Sequence, residues 1–526
     1  MRTAKTSIFS MLQKAFSIAS KANKTNAAPA DEILGQMQEN AWTRRKFLEN
    51  TGKFSILAAT TGILDACNTP KVSASNTRIA IVGGGIAGLH AAHILAKGGI
   101  DNFTIYEAAD RIGGRMFTAK NIMGAGLTTE LGGEFIDSGH EDMFNLANEF
   151  GFTLFDTQSP SELLLTKDAY YFNGQHYSLL EVINAFSTIA PQMQADIDML
   201  PDSITYNSYG AAAAYDTLSI SQYLTQIGAS GWLRSLIEVA YETEYGLSCD
   251  LQSAINMLFL ISADTSGGTF DIFGESDERY KIAGGSQQVT DVLASKYNAH
   301  IEIGKQLLSI HDKGSYFELV FSGISKPVKA EYVILAIPFS VLRNVYIDVK
   351  LPTWKRNAIE KLGYGTNAKL AMGFSERTWR NNGYTGYVFA NNGIQSGWDN
   401  SQLQGGIEGG YTVFLGGQKA IDLAANTAEY QAQQHLFKLD VIFTGSFAKY
   451  NNKAARFNWH SYQHTQGSYS CYLVGQWTSI AGAERTPVGR LYFAGEHCSL
   501  DYQGYMNGAA ETGRVAAEEI LVTING

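Results

Sequence analysis

Ordered patterns of apolar and polar positions begin at about residue 77. Thr77-Arg78-Ile79-Ala80-Ile81-Val82 is a short β-prone run that leads directly into Gly83-Gly84-Gly85-Ile86-Ala87-Gly88, and Leu89 to Lys97 then reads as a helix. Phe103-Thr104-Ile105-Tyr106 predicts a second strand and Tyr332 to Pro338 a buried one, while Leu491-Tyr492-Phe493 leads through several glycines into a helix reaching about Leu521. Two long stretches separate these pieces. Residues 138–279 read as mainly helical, with runs such as Glu141 to Phe150 and Ser219 to Ile227. Residues 365–480 alternate β-prone runs, Leu370 to Phe374 and Thr412 to Leu415 among them, with Gly/Asn turns, which predicts a mixed sheet. No internal repeat is visible, and Ala211 to Ala214 is local low complexity that reads as helix or loop.

The order strand, G-x-G-x-x-G, helix has a physical reason. The first glycine permits a tight turn, the second lets backbone approach a pyrophosphate, and the third lets helix pack on strand; the helix N-terminus adds free N–H groups and the positive end of a dipole. Glu107 closes the second strand nineteen residues after Gly88, where a carboxylate can accept both ribose hydroxyls of an adenosine. A nicotinamide domain would continue into another βα unit. Instead Asp110-Arg111-Ile112-Gly113-Gly114-Arg115 and Glu130-Leu131-Gly132-Gly133-Glu134-Phe135 follow. Two further double-glycine turns suggest backbone lying close to an extended ligand, with Arg115 available to a phosphate.

These blocks resemble the flavin-containing amine oxidase family, whose members carry E-A-x-x-R-x-G-G-R, here Glu107 to Arg115, and then an acid followed by a glycine pair. The resemblance continues in order through Tyr280-Lys281-Ile282-Ala283-Gly284-Gly285, Gln466-Gly467-Ser468-Tyr469-Ser470 and the stretch from Gly495-Glu496 to Gly504-Tyr505-Met506-Asn507-Gly508. It implies an α/β fold, α+β overall. A Rossmann-like FAD-binding domain from 77–137, 280–345 and 485–526 would be interleaved with a mixed-sheet and helical substrate domain from 138–279 and 346–484. It further implies that FAD lies along Gly83, Gly85, Ile86, Ala87, Gly88, Glu107, Ala108, Gly114, Arg115, Gly132, Gly133, Glu134 and Phe135, with Trp459, Gly495, Glu496, Tyr505 and Met506 at its other segments. Ile301 to Ile310 resembles the strand that sets an apolar residue, Leu307, beside the adenine. Substrate would sit where the two domains meet.

Oxidising an amine with a flavin requires an unprotonated nitrogen, a C–H bond aimed at flavin N5 and a dry pocket. The resemblance implies that Lys369, at the start of a strand in Gly365 to Met372, holds a water against N5 and assists reoxidation by oxygen, and that Tyr469 and Tyr505 supply two aromatic walls. Members with covalent flavin carry a cysteine where Ser468 stands, so the FAD is expected to be non-covalent. Relatives acting on α-amino acids place an arginine just after the glycine pair; Glu134-Phe135-Ile136-Asp137 has none, which favours an amine, and these acids could attract the second ammonium of a diamine. Arg234 or Arg377 gripping a carboxylate keeps an L-amino-acid oxidase open. A dehydrogenase or desaturase that passes electrons to a carrier protein instead of oxygen is a further alternative, and a non-catalytic flavin-binding lipoprotein a third. Cys471 and Cys498 read as buried thiols.

Composition adds exclusions. With 45% hydrophobic and 12% aromatic residues the 526-residue chain folds, and 53 glycines without a triplet period exclude collagen. A net charge of −10 without clustered Lys and Arg argues against nucleic acid, and cysteines at 67, 249, 471 and 498 show no metal-binding spacing. The charge is uneven: residues 1–46 hold eight Lys/Arg against three acids, so this end is +5 and the remainder −15. Thr43-Arg44-Arg45-Lys46-Phe47-Leu48 resembles a twin-arginine signal, and Phe54 to Leu64 is too short for a bilayer, which needs about 20 apolar residues. Leu64-Asp65-Ala66-Cys67 resembles a lipoprotein cleavage box with an aspartate in an unusual place. Residues 1–75 are thus expected to be a leader, and the protein an exported bacterial one, periplasmic or anchored through a lipid at Cys67. The oligomeric state stays open, a homodimer included.

Overall fold

Ile79, Ala80, Ile81 and Val82 are all buried, because their strand, Ile79–Val82, has a parallel neighbour on each side, helices packed on the face of Ile79 and Ile81, and a second, four-stranded sheet packed on the face of Ala80 and Val82. The computed structural model describes residues 77–265 and 270–525; the twin arginines and Cys67 lie outside them. Five strands make this parallel sheet, in the order Leu491–Phe493, Tyr332–Leu335, Ile79–Val82, Phe103–Tyr106, Ile301–Glu302. Two helices, Ile86–Lys97 and Met506–Asn525, pack against each other beside it. Gly513 makes that approach possible, since a Cβ there would collide with the Ala87 carbonyl oxygen.

A seven-stranded sheet runs Tyr450–Asn458, Ala368–Phe374, Gly409–Leu415, Gln395–Asp399, Tyr384–Ala390, Thr166–Phe172, Gln175–Tyr177. Leu436 and Leu439 of the helix Ala428–Asp440 share one core with Leu370 and Met372. Leu236 and Ile237 of the helix Gly231–Tyr245 share another with Phe172 and Phe389. The predicted strands at 370–374 and 412–415 are therefore present and longer, and both are buried throughout or nearly so.

Three expectations are corrected. The stretch 138–279 holds its helices, including Glu141–Glu149 and Ile220–Gln226 behind a Ser219 capping box, but it also contributes the hairpin Thr166–Phe172/Gln175–Tyr177 to the large sheet. Residues 301–310 are not one strand: Ile301–Glu302 ends the parallel sheet and Leu307–Asp312 belongs to a separate four-stranded sheet, because Gly304 turns at φ 68° between them. The run 332–338 stops pairing as a strand at Leu335, and Pro338 then starts the short helix Phe339–Leu342. Among the described residues no helix is long and apolar enough to cross a membrane.

Candidate active site

A single cavity runs between the parallel sheet and the seven-stranded sheet. Of the residues expected above to hold FAD or to form the catalytic centre, all but Gly88 line it, whereas Arg234 and Arg377 do not. Gly88 acts from behind: a Cβ there would collide with the Gly83 carbonyl oxygen, so its part is to let the helix Ile86–Lys97 seat on its strand. No side chain caps that helix, and Gly85, Ile86 and Ala87 present its N-terminal turn to the cavity. Beside it the Glu107 carboxylate accepts the N–H of Gly84 at 2.7 Å and of Ala109 at 2.7 Å, which fixes an acid at the end of the second strand. Gly114 lies so close to Gly85 that a Cβ on it would stand 3.2 Å from the Gly85 Cα. Uncapped N–H groups, a pinned carboxylate and a glycine-built wall together fit the pyrophosphate and adenosine of a dinucleotide, and Leu307 lines the same end.

Further along, Arg115 donates from Nη1 to Glu496 Oε1 and to the Ser468 carbonyl, each at 2.7 Å. Glu496 also accepts from the Ser470 hydroxyl at 2.7 Å and the Gly504 N–H at 3.0 Å. Burial pushes the Glu496 carboxyl up, but the Arg115 guanidinium, His497 and the Ser470 hydroxyl together hold it below the usual carboxylate range. Trp459 is buried and donates its indole N–H to the Leu131 carbonyl at 3.0 Å.

Lys369 is not the half-exposed lysine that its strand position would ordinarily give. It is 6% exposed, and Nζ donates to the Gly132 carbonyl at 2.9 Å, to Glu134 Oε2 at 3.0 Å and to the Glu130 carbonyl at 3.3 Å. Glu134 is correspondingly occupied: Lys281 stands 2.7 Å from Oε1, and the Trp398 indole donates at 3.0 Å to Oε2, the oxygen that Lys369 also uses. It is thus an internal counter-ion, not an acid offered to a second substrate ammonium.

Tyr469 and Tyr505 both hang from the last turn of the helix Gly231–Tyr245. The Tyr469 hydroxyl donates to the Thr243 carbonyl at 3.3 Å, and the Tyr505 hydroxyl, with one proton to give, stands 3.2 Å from Glu244 Oε1 and 3.0 Å from Ser276 Oγ. Burial, with Glu244 adding to it, pushes both phenols well above their ordinary range, so they remain donors. Asp137, Glu244 and Glu278 line this end of the cavity together with Tyr245, Trp398 and Phe414. Of these, only Asp137 stood within a block read from sequence. The others lie in no motif; they arrive from the helix 231–245, a loop and the large sheet.

The profile of the family described as flavin containing amine oxidoreductase matches residues 86–521. The chain belongs to that family. A flavin-containing amine oxidase of Danio rerio is 26% identical over 459 residues, covering 84% of this chain and 85% of the relative. Among solved structures, a cyclohexylamine oxidase from Brevibacterium oxydans IH-35A is 20% identical and superposes with a TM-score of 0.74 over 86% of this chain and all of its own. A wild-type putrescine oxidase bound to putrescine is 21% identical with a TM-score of 0.71, over 85% of this chain and 99% of its own. As a flavin-containing amine oxidoreductase, this chain has a use for both ends of its cavity: one fits the dinucleotide half of FAD, and the other joins tyrosines and carboxylates around a buried lysine.

Proposed function

We propose that this chain binds FAD non-covalently and oxidises a small amine, with a second positive charge favoured over a carboxylate in the substrate. The amine becomes an imine that water hydrolyses to an aldehyde and ammonia, and oxygen is reduced to hydrogen peroxide. FAD, when bound, takes up hydride from the amine α-carbon and returns the electrons to oxygen. The chain's own groups bind and orient. Glu107 and the uncapped turn at Gly85 hold the adenosine and pyrophosphate, Ser468 offers no thiol for a flavin bond, and Tyr469 and Tyr505 flank the substrate.

The observation that carries the choice of amine over amino acid is the charge of the cavity wall. Its arginines are Arg111 and Arg115. Arg111 donates to the Gly114 carbonyl at 2.5 Å and Arg115 is paired with Glu496, both on the cofactor side. Arg234 is spent on Glu238, Thr225 and Ser221, and Arg377 on the Glu408 and Gln404 carbonyls; neither lines the cavity. Carboxylates stand where a carboxylate-bearing substrate would need a guanidinium.

Peroxide release from a panel of monoamines, diamines and L-amino acids tests this reading, and activity confined to amines is expected. Bound flavin that no amine or amino acid reduces would overturn it, and flavin reduced by amines that reacts with a cytochrome but not with oxygen would move the function to a dehydrogenase. Acid precipitation should leave the flavin in the supernatant. We also propose export in the folded state, supported by Thr43 to Leu48, with a lipid at Cys67. Membrane fractionation of the intact chain beside Cys67→Ser checks the anchor.

A further inference from the structure

Two buried lysines share one carboxylate at the centre of the cavity wall. Lys281, on the strand Tyr280–Ile282, approaches Glu134 Oε1 at 2.7 Å, and Lys369, on the strand Ala368–Phe374, approaches Glu134 Oε2 at 3.0 Å. Their side chains are each 7% exposed and that of Glu134 is 1% exposed. Lys281 stands behind the wall, while Lys369, Glu134 and Trp398 line it. We propose that Glu134 and Lys281 are positioning residues for Lys369: the shared carboxylate holds the Lys369 ammonium at the wall, and Lys281, by competing for it, sets how firmly that charge is held.

Lysine pairs burying one anion are costly unless the arrangement is kept whole, because removing the anion leaves two desolvated cations. Burial pushes the Glu134 carboxyl up, but Lys281 and Lys369 outweigh burial and hold it below the usual range. The other ionisable groups facing the cluster are Glu130, pushed up to about 7 by burial, together with Glu278 on the cavity side and Asp399 on the side of Lys281. With Glu134 ionised, the trio carries one net positive charge. A fixed cation favours the reduction of oxygen, which gains negative charge as it accepts electrons. This inference rests on the reading that Lys369 assists reoxidation.

The test follows the oxygen reaction of dithionite-reduced holoprotein by flavin absorbance across pH, so no substrate need be known. Lys281→Met leaves a one-to-one pair, and the alkaline fall in reoxidation rate should move to higher pH. Glu134→Gln removes the counter-charge that both ammonium groups touch, and the fall should move to lower pH by about 1–3 units. Opposite displacements support the proposal; displacements in the same direction, or none, overturn it. Should Glu134→Gln fail to fold, Lys281→Met decides alone. Lys369→Met separates the two layers: reoxidation like wild type defeats the underlying reading, whereas slowed reoxidation with unmoved profiles in the other two defeats only this proposal. A second readout needs no activity. In the full chain stripped of flavin, Glu134→Gln should melt below wild type at pH 7, and the gap should close as pH falls below about 4.5 and the wild-type carboxylate is protonated; no gap at pH 7 overturns the proposal.

Discussion

Burial decides what each ionisable side chain around the cavity can do. Glu278 takes φ 46°, an uncommon conformation for a side-chain-bearing residue, and accepts the Tyr387 hydroxyl at 2.7 Å. Burial pushes its carboxyl up to about 7, so it is largely neutral at pH 6 and ionised at pH 8. If it meets the distal ammonium of a diamine, the ratio of kcat/KM for a diamine to that for a monoamine of equal length should rise by about tenfold between those pH values. The ratio cancels deprotonation of the reacting nitrogen, and Glu278→Gln should leave it flat. Glu484 shows the same physics away from the cavity. It is 1% exposed, accepts the Tyr472 hydroxyl at 2.8 Å, and burial pushes it up to about 7. A carboxyl raised in the folded state favours folding fully below its unfolded value near 4.5, and that contribution is lost as pH rises to 7. Glu484→Gln should therefore gain on wild type between pH 4.5 and 8, by up to about 3 kcal/mol in denaturant unfolding. Burial pushes Lys355 down to about 7, but it stays anchored throughout, since Nζ donates to the Glu484 main-chain carbonyl at 2.6 Å and a neutral amine donates as an ammonium does.

Local elements were the most legible. The turn from strand to helix at Gly83 to Gly88 can be read without tertiary knowledge, because its pattern is contiguous and Gly88 answers a contact inside the turn itself, whereas the Ala336 carbonyl that Gly83 makes room for could not have been foreseen. Gly88→Ala tests this: the methyl must push against the Gly83 carbonyl, lifting the helix from its strand and shifting the N–H groups at Gly85 to Ala87. The expected loss is about 1–3 kcal/mol of stability together with weaker FAD binding, measured by melting and by flavin titration. The missed hairpin carried a readable signal, for Asn173 and Gly174 at φ 54° and 83° form the two-residue turn that joins Thr166–Phe172 to Gln175–Tyr177. Its partnership with Tyr384–Ala390 was not readable, since the Thr385 hydroxyl meets the Lys167 carbonyl 218 positions away and no local pattern encodes a parallel pairing across that distance. For the same reason Glu244, Glu278, Trp398 and Phe414 escaped the sequence reading while Glu107 and Lys369 did not: the former are brought to the cavity by packing and the latter belong to contiguous motifs.

At the scale of the whole molecule, the chain crosses repeatedly between its two large sheets, and the cavity is where the crossings meet. Glu134 lies past the second glycine pair, Lys281 in the strand Tyr280–Ile282 and Lys369 in the seven-stranded sheet, so one ion cluster ties three remote segments together. Arg115 and Glu496, 381 positions apart, do the same at the cofactor's middle. A bound FAD touching these segments would stabilise the folded state alone, because the separated segments of an unfolded chain offer no such site. Linkage then requires that flavin removal lower the melting temperature, by an amount equivalent to about 4 kcal/mol when free FAD stands at a thousand times its dissociation constant. The interleaving adds a second requirement: neither sheet can keep its cavity-facing segments in place once the other is lost, so the holoprotein should unfold in one transition, with flavin fluorescence and far-ultraviolet circular dichroism changing together. Flavin release well before the loss of secondary structure, with two resolved transitions in calorimetry, would instead make the two sheets independent units that merely share a ligand.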